Sequence, residues 1–228
     1  MNAAMSKQDS NVALTLSPEV SQYFFTLRDR VLGALGQRGA AGHALVVTSC
    51  HHGEGVSAVA LNFALALGEA DEHGKVLLCD ANADSPAVHK VFQVEQSPGL
   101  TEAVAGQCEP EAAIRRTGVE ALDILPVGDG RMSLSGIVDS PRLAPILAAL
   151  KEEYRVVVLD AAPVIECSAT ARLAAASDGA VLVVEAERQR WEVAQRATDL
   201  LTDAGARIIG AVLNKRRFHI PAFLYDRL

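Results

Sequence analysis

The feature that most constrains the fold is a run at residues 44–63, in which a strand, a glycine-containing turn and a helix follow one another directly. Residues 44–49, Ala-Leu-Val-Val-Thr-Ser, are apolar enough to form a buried strand, and an apolar helix opens near Val56. The turn between them carries Gly53 and Gly55. Such a turn converges its backbone N–H groups, and the dipole of the following helix adds partial positive charge. The run therefore predicts a cradle for phosphate groups.

This cradle lacks one of the two side chains that a working phosphate-binding loop (P-loop) requires. That loop needs a lysine that reaches the β- and γ-phosphates, followed by a Ser or Thr that binds Mg²⁺. Ser57 supplies the hydroxyl, but Val56 occupies the lysine position. We predict that Gly53, Glu54, Gly55, Val56 and Ser57 form the nucleotide-facing loop without its main phosphate-binding charge.

The rest of the chain alternates short apolar strands with helices. This pattern predicts one α/β domain of the P-loop NTPase type, with a mostly parallel central sheet and helices on both faces. The predicted strands are 44–49, 76–80, 122–127, 155–160, 180–185 and 207–213. The predicted helices are 18–35 (with Ser17 as N-cap), 56–70, 101–106, 109–116, 141–152, 167–176 and 189–204. Residues 1–16 are expected to be disordered, 17–214 to form the domain, and 215–228 to form a basic, then aromatic tail.

Two predicted strands end in an aspartate. Asp160 follows four apolar residues and precedes Pro163, which is the Walker-B pattern whose Asp orients Mg²⁺ or its water. Asp80 ends the strand that follows the P-loop helix. The carboxyl ends of parallel strands share one edge of a sheet, where ligands bind. We therefore predict that Ser57, Asp80 and Asp160 lie together as a metal site.

Charge and composition exclude several functions. The 228 residues carry a net charge of −7, which argues against nucleic acid as a partner because no global basic field exists. The polar start has no apolar signal-peptide core, and no apolar run is long enough to span a bilayer. The four cysteines show no disulfide framework, so reduced thiols in a cytoplasmic protein are expected.

The sequence resembles the cytoplasmic ATPase domain of the bacterial tyrosine kinases that accompany membrane polysaccharide co-polymerases, within the wider partition-ATPase superfamily. The resemblance covers roughly residues 17–214 and implies that Asn214 lies against the adenine. It is carried by Ser17-Pro18, Leu27-Arg28, Thr48-Ser49, Gly53-Glu54-Gly55 with Ser57, 76–81, Pro86, His89, Phe92, 97–101 with Gly106, 154–160 with Pro163, Asp178-Gly179 and 210–214.

The chain departs from this family at the site itself. Besides Val56, the family motif Asp-Ala-Asp-X-Arg is replaced by Asp80-Ala81-Asn82-Ala83-Asp84, which loses one acid and reverses one charge. The family has a tail rich in tyrosine, whereas in this sequence only Tyr225 follows Asn214. Further differences fall at Gln22 and Phe25, where the family's oligomer motif has Glu and Arg, and at Ala58, Ala162 and Ala169.

The size of these losses indicates a catalytically degenerate member. A charge-assisted hydrogen bond contributes about 1.5–3 kcal/mol to ground-state binding. Loss of one preorganised electrostatic group costs roughly 10²–10³ in rate. We therefore expect Mg²⁺-ATP or ADP to bind weakly if at all, and Asp80 and Asp160 to be vestiges of a catalytic site.

Two stretches leave alternatives open. Cys50-His51-His52 either binds Zn²⁺ or Cu, or is a loop whose sequence has diverged from that of the family without a role in metal binding. The basic and aromatic tail at 215–228 either contacts anionic lipid headgroups or a membrane protein, or packs on the sheet edge.

The resemblance implies an accessory or regulatory subunit of exopolysaccharide or capsule synthesis and export. Such a subunit would be held at the inner face of the membrane by a polysaccharide co-polymerase or another export protein. The alternative is an active ATPase or tyrosine kinase that uses a substitute basic residue, such as Lys75, Arg131 or an arginine supplied by a partner. A DNA-partition role is a third class, which the acidic charge opposes. Any homo-oligomer is expected to differ from the family ring. Tyr23, Phe24 and Phe25 are expected to form an exposed apolar face, which suggests a contact with a different partner or a two-fold dimer instead.

Overall fold

The computed structural model describes residues 16, 18–36, 42–69, 74–130 and 132–216, and within them the chain forms seven strands and nine helices. The strands are β1 (His43–Ser49), β2 (Val76–Asp80), β3 (Arg115–Arg116), β4 (Leu122–Leu125), β5 (Val156–Asp160), β6 (Gly179–Glu185) and β7 (Ile208–Asn214). The helices are α1 (Pro18–Leu35), α2 (Val56–Gly68), α3 (Val88–Phe92), α4 (Leu100–Val104), α5 (Pro110–Ala113), α6 (Leu134–Asp139), α7 (Leu143–Glu153), α8 (Ser168–Ala175) and α9 (Trp191–Asp203).

The seven strands form one sheet in the order β3-β4-β2-β5-β1-β6-β7. Every pairing is parallel except that of β3 with β4, so the predicted mostly parallel sheet is confirmed. Because β5 lies between β1 and β2, it brings the ends of these three strands together. The carboxyl edge of the sheet therefore holds the glycine turn after β1 and both aspartates.

Two apolar clusters cover opposite faces of the sheet. In β1, Ala44 and Val46 belong to one cluster, and Leu45 and Val47 to the other, as the two-residue period of a strand requires. Helices α4 and α6 to α9 contribute to the first cluster, and α1 and α2 to the second. This burial on both faces explains why the strands are continuously apolar in sequence.

Three short elements differ from prediction. The predicted helix 109–116 ends at Ala113, and the chain then extends into β3, whose Arg115 guanidinium donates to the carbonyls of Ser97 and Pro98. Helices α3 and α6 were not predicted at all. They contain five and six residues, which is too short for a helical period to show in sequence.

The aromatic face of α1 also differs from prediction. We expected Tyr23, Phe24 and Phe25 to form an exposed apolar face, but only Tyr23 is exposed, at 68%. Phe24 and Phe25 are half-buried and pack against the apolar cluster beneath α2. The prediction was wrong because the two phenylalanines face the helix that α1 covers.

Some predictions fall on parts of the chain that lie outside the described residues. These are disorder over 1–15, the N-cap Ser17, the candidate Arg131 and the tail 217–228 with Tyr225. Leu16 is described and is buried in the second apolar cluster. Among the described helices, none is both long enough and apolar enough to cross a bilayer.

Candidate phosphate-binding site

The turn between β1 and α2 has the backbone of a phosphate cradle. Gly53 and Gly55 take φ values of 83° and 91°, in the left-handed region that glycine adopts at little cost. Gly55 is the N-cap of α2, and neither a side-chain cap nor an acidic residue satisfies the first turn of that helix. The amides at this helix end are therefore left for an external acceptor.

Glu54 stabilises the turn from inside. Its side chain is 3% exposed, and Oε2 accepts hydrogen bonds from the amides of Cys50 at 2.8 Å and His51 at 3.1 Å. Burial, and then the charge of Glu54, raise the pKa of the Cys50 thiol to about 12. Cys50 therefore stays protonated at neutral pH and belongs to the apolar core.

Asp80 and Asp160 lie side by side, because β2 and β5 pair with these two residues in register. The Asp80 carboxylate accepts three backbone hydrogen bonds, from Asn82, Ala87 and Val88, at 2.9–3.1 Å. Burial nevertheless raises the pKa of Asp80 above its ordinary value, since it outweighs these amides and the nearby His89. Asp80 thus holds the chain at the start of α3.

Asp160, unlike Asp80, accepts no backbone hydrogen bonds within the described residues. It is fully buried, and within the described residues neither carboxylate oxygen makes a hydrogen bond of normal geometry. Burial first, and then the charge of Asp80, raise the pKa of Asp160 to about 7, although the nearby Ser57 hydroxyl favours the ionised form. A buried carboxylate without partners is costly, which is typical of a group that binds a cation.

The oxygen donors at this edge suit Mg²⁺. The ion is held by one or two carboxylates together with the phosphates of a ligand, and Ser57 and Asp160 supply a hydroxyl and a free carboxylate. The third predicted ligand, Asp80, already uses both oxygens on backbone amides. Of the three predicted metal-binding residues, Asp160 therefore has the most capacity for an ion.

Val56, at the position of the missing lysine, is the first residue of α2. It is partly buried and packs against the apolar cluster between α1, α2 and the sheet. Asn82, at the position of the lost acid, is 8% exposed and closes a turn with its Oδ1 accepting from the Ser85 amide. Asp84 is exposed.

The side chains of His51 and His52 pair with Glu166. His51 Nδ1 lies 3.0 Å from one Glu166 oxygen, and His52 Nε2 lies 3.1 Å from the other. Burial alone would raise the pKa of Glu166, but the His52 amide and both imidazoles outweigh it and hold that pKa below its usual range. The described residues contain no group of three or more His, Cys, Asp or Glu side chains arranged to hold a metal ion. The structure therefore separates buried Cys50 from the two histidines.

The rim of the loop is closed by two residues at the end of β7. Asn214 Nδ2 donates to the Glu54 carbonyl at 2.8 Å, and the Lys215 ammonium donates to the Gly53 carbonyl. The predicted nucleotide residue Asn214 is therefore at the site, and contacts of the domain continue past the predicted boundary at 214. Lys215 was missed from the sequence, because nothing there shows where the chain turns after β7.

The sheet order, the glycine turn and the paired aspartates define an α/β domain of the P-loop NTPase type. No family model matches the sequence. The chain is 27% identical over 214 residues to the tyrosine-protein kinase YwqD of Bacillus subtilis, which spans 93% of this chain and 89% of YwqD. It is 26% identical over 203 residues to the tyrosine-protein kinase CpsD of Streptococcus agalactiae, spanning 89% of this chain and 86% of CpsD.

The structure agrees with these relatives. The crystal structure of the chimeric protein CapA2B2 superposes with a TM-score of 0.81 and 25% identity, covering 94% of this chain and 93% of that one. The homologues of this chain are thus bacterial tyrosine-protein kinases, which confirms the resemblance seen in the sequence.

Proposed function

We propose that the chain is a catalytically degenerate relative of the bacterial tyrosine kinases, and that it serves as an accessory or regulatory subunit of exopolysaccharide or capsule synthesis and export. Its loop retains an anion site, but it does not transfer the γ-phosphate of ATP. The homology to tyrosine-protein kinases supports the kind of system in which it acts.

The observation that carries the proposal is the packing of Val56. A phosphate-binding lysine would present an ammonium to the cradle, whereas Val56 presents methyl groups and packs on the apolar cluster beside α2. Two further losses lie at the same edge: Asn82 stands in place of an acid, and Asp84 in place of an arginine. Loss of a single preorganised group costs roughly 10²–10³ in rate, and these losses act on one reaction centre.

The partner we propose is a membrane polysaccharide co-polymerase or another protein of the same synthesis and export system. The subunit would lie in the cytoplasm and reach the inner face of the membrane through that partner. The domain that we propose for this contact spans 17–214, with 215–228 as its tail. The net charge of −7 disfavours nucleic acid as the partner.

The alternative is an active ATPase or kinase with a substitute cation, and the position of Lys75 disfavours one of its two candidates within this chain. Lys75 lies just before β2, at the amino end of the strand whose carboxyl end carries Asp80, and its ammonium is 3.5 Å from Asp123. It is therefore at the edge of the sheet opposite to the cradle. The other candidate, Arg131, lies outside the described residues.

Purified protein should not autophosphorylate on tyrosine. Tyr154 is 2% exposed and donates a hydrogen bond to Asp123 at 3.0 Å, so it is inaccessible, whereas Tyr23 is 68% exposed. The measurement is mass spectrometry after incubation with Mg²⁺-ATP, on protein produced where no other tyrosine kinase is present. Phosphotyrosine at Tyr23, Tyr154 or Tyr225 would contradict the proposal, and the Tyr23→Phe variant shows whether the signal comes from Tyr23.

The isolated domain should not form the ring of its family. Gln22 and Phe25 replace the acid and base of the oligomer motif, and the remaining Arg28 is engaged within its own chain. Its guanidinium lies over the Phe25 ring at 4.9 Å and donates to the Ala66 carbonyl at 3.3 Å. Light scattering should give the mass of a monomer or a two-fold dimer; a stable higher ring would show that this prediction is wrong.

A further inference from the structure

The end of β7 turns a lysine back over the phosphate cradle. Strand β7 ends at Asn214, and the Asn214 Oδ1 accepts a hydrogen bond from the Lys215 amide at 2.9 Å. Lys215 takes a φ of 57°, which a residue with a Cβ adopts only when its surroundings require it. Because Asn214 Nδ2 also binds the Glu54 carbonyl, one amide side chain fixes both the loop and the turn that follows β7.

The Lys215 side chain lies across both glycines of the loop. Its ammonium donates to the Gly53 carbonyl, and its Cε lies 3.9 Å from the place where a Cβ on Gly55 would stand. The same ammonium is 3.2 Å from Glu185 Oε2. Its side chain is 45% exposed, so the ammonium can leave these partners without breaking the core.

Two independent features indicate that a phosphate ligand belongs beneath this lysine. The first is the uncapped first turn of α2, a helix of 13 residues. The second is Asp160, which is fully buried, makes no hydrogen bond of normal geometry among the described residues and lies near the Ser57 hydroxyl. A free carboxylate at the foot of an anion cradle suits the divalent cation that accompanies pyrophosphate groups.

We propose that Lys215 is the phosphate-binding cation of this loop, and that it replaces the lysine missing at Val56. The ligand class is a pyrophosphate group, either free or within a nucleotide. When the ligand enters, the ammonium exchanges the Gly53 carbonyl and Glu185 for phosphate oxygens, while Glu185 keeps Arg188, whose guanidinium lies at 3.3 Å. The inference rests on the proposed function, since it concerns binding in a loop that no longer catalyses.

Calorimetry with inorganic pyrophosphate at fixed Mg²⁺ tests the role of Lys215. Lys215→Gln should weaken binding about tenfold or more, as expected for loss of one charge-assisted hydrogen bond. Glu185→Gln should strengthen binding, because it removes the carboxylate that competes for the ammonium. Lys75→Gln is the matched control, since it removes a lysine from the opposite edge, and its affinity should equal that of the wild type.

A rescue variant separates lost charge from lost loop shape. Lys215→Gln combined with Val56→Lys should regain affinity, because the new ammonium reaches the same phosphate from α2. A second titration with ADP distinguishes free pyrophosphate from a nucleotide as the ligand. Equal affinity for ADP and pyrophosphate supports free pyrophosphate. Tighter binding of ADP than of pyrophosphate, which Lys215→Gln also weakens, supports a nucleotide.

The inference is overturned if the wild type does not bind pyrophosphate, or if Lys215→Gln binds as tightly as the wild type. Failure of the proposed function has a different signature. Steady release of phosphate from ATP by the wild type would refute degeneracy while leaving the effect of Lys215→Gln on affinity intact. Lys215→Arg, which keeps the charge, should bind close to the wild type and shows that the position tolerates substitution.

Discussion

Replacing Asp160 with Asn should shift the stability of the domain, relative to the wild type, in the variant's favour as the pH rises from 5 to 8. The cause is the buried carboxylate, whose pKa is raised to about 7 from an ordinary value of 3.8. A raised pKa means that the folded state holds the proton more tightly than the unfolded state. Stability is therefore lost as the pH rises from about 4 to about 7, and the loss levels off above pH 7.

The pH-dependent part of this effect is large. With about 1.4 kcal/mol for each pH unit between the two pKa values, the difference between Asp160→Asn and the wild type should change by about 2–3 kcal/mol from pH 5 to pH 8. In a domain of this size that corresponds to roughly 5–10 °C in the melting temperature. The side-chain amide introduced at position 160 is left without partners and lowers the variant's stability equally at both pH values. It therefore does not alter how much the stability difference between variant and wild type changes from pH 5 to pH 8.

Thermal unfolding at pH 5 and pH 8 measures this difference, with exposed Asp84→Asn as the matched control. Adding Mg²⁺ at pH 8 should raise the melting temperature of the wild type and leave that of Asp160→Asn unchanged, if Asp160 binds the ion. A difference between variant and wild type that is the same at both pH values would mean that Asp160 is ionised in the fold without penalty.

The sequence predicts the sheet and the turn well, because both depend on local pattern. Runs of four apolar residues ending in Asp80 and Asp160 are typical of buried strands, and a glycine turn after β1 places its amides at the carboxyl edge. The two-residue strand β3 and the short helices α3 and α6 could not be predicted, since elements of this length show no period.

Local sequence pattern also could not predict the partners of Asp80 or the position of Lys215 at the site. The partners of Asp80 are backbone amides of residues 82, 87 and 88, and the path of that loop decides whether its carboxylate is free. Lys215 reaches the cradle only because Asn214 bonds both to Glu54 and to the next amide. Such contacts join residues about 160 positions apart, and no local pattern encodes them.

Val56→Lys should regain phosphate affinity without restoring turnover. The side chain starts α2 beside the cradle, and lysine is a better helix former than valine. Its methylene stem can cover the apolar surface that Val56 now covers, while the ammonium reaches the loop. The affinity for ADP should rise about tenfold or more. Val56→Gln, which has a polar side chain without charge, is the matched control and should show no such gain.

We expect turnover to require more than this charge. Asn82 has no carboxylate to activate a hydroxyl or water, and Asp84 would repel a γ-phosphate where the family resemblance implies an arginine. We expect hydrolysis, if it can be restored, only in the combined variant Val56→Lys/Asn82→Asp/Ala83→Leu/Asp84→Arg. If neither variant binds ADP, the loop has lost the shape of a cradle and the phosphate-site interpretation is wrong.

The most direct test of degeneracy is phosphate release from Mg²⁺-ATP, measured for the wild type and for Val56→Lys together with ADP affinity by calorimetry. We expect no release above background from either protein, and tighter ADP binding by Val56→Lys than by the wild type. Steady phosphate release by the wild type, or by Val56→Lys alone, would contradict it.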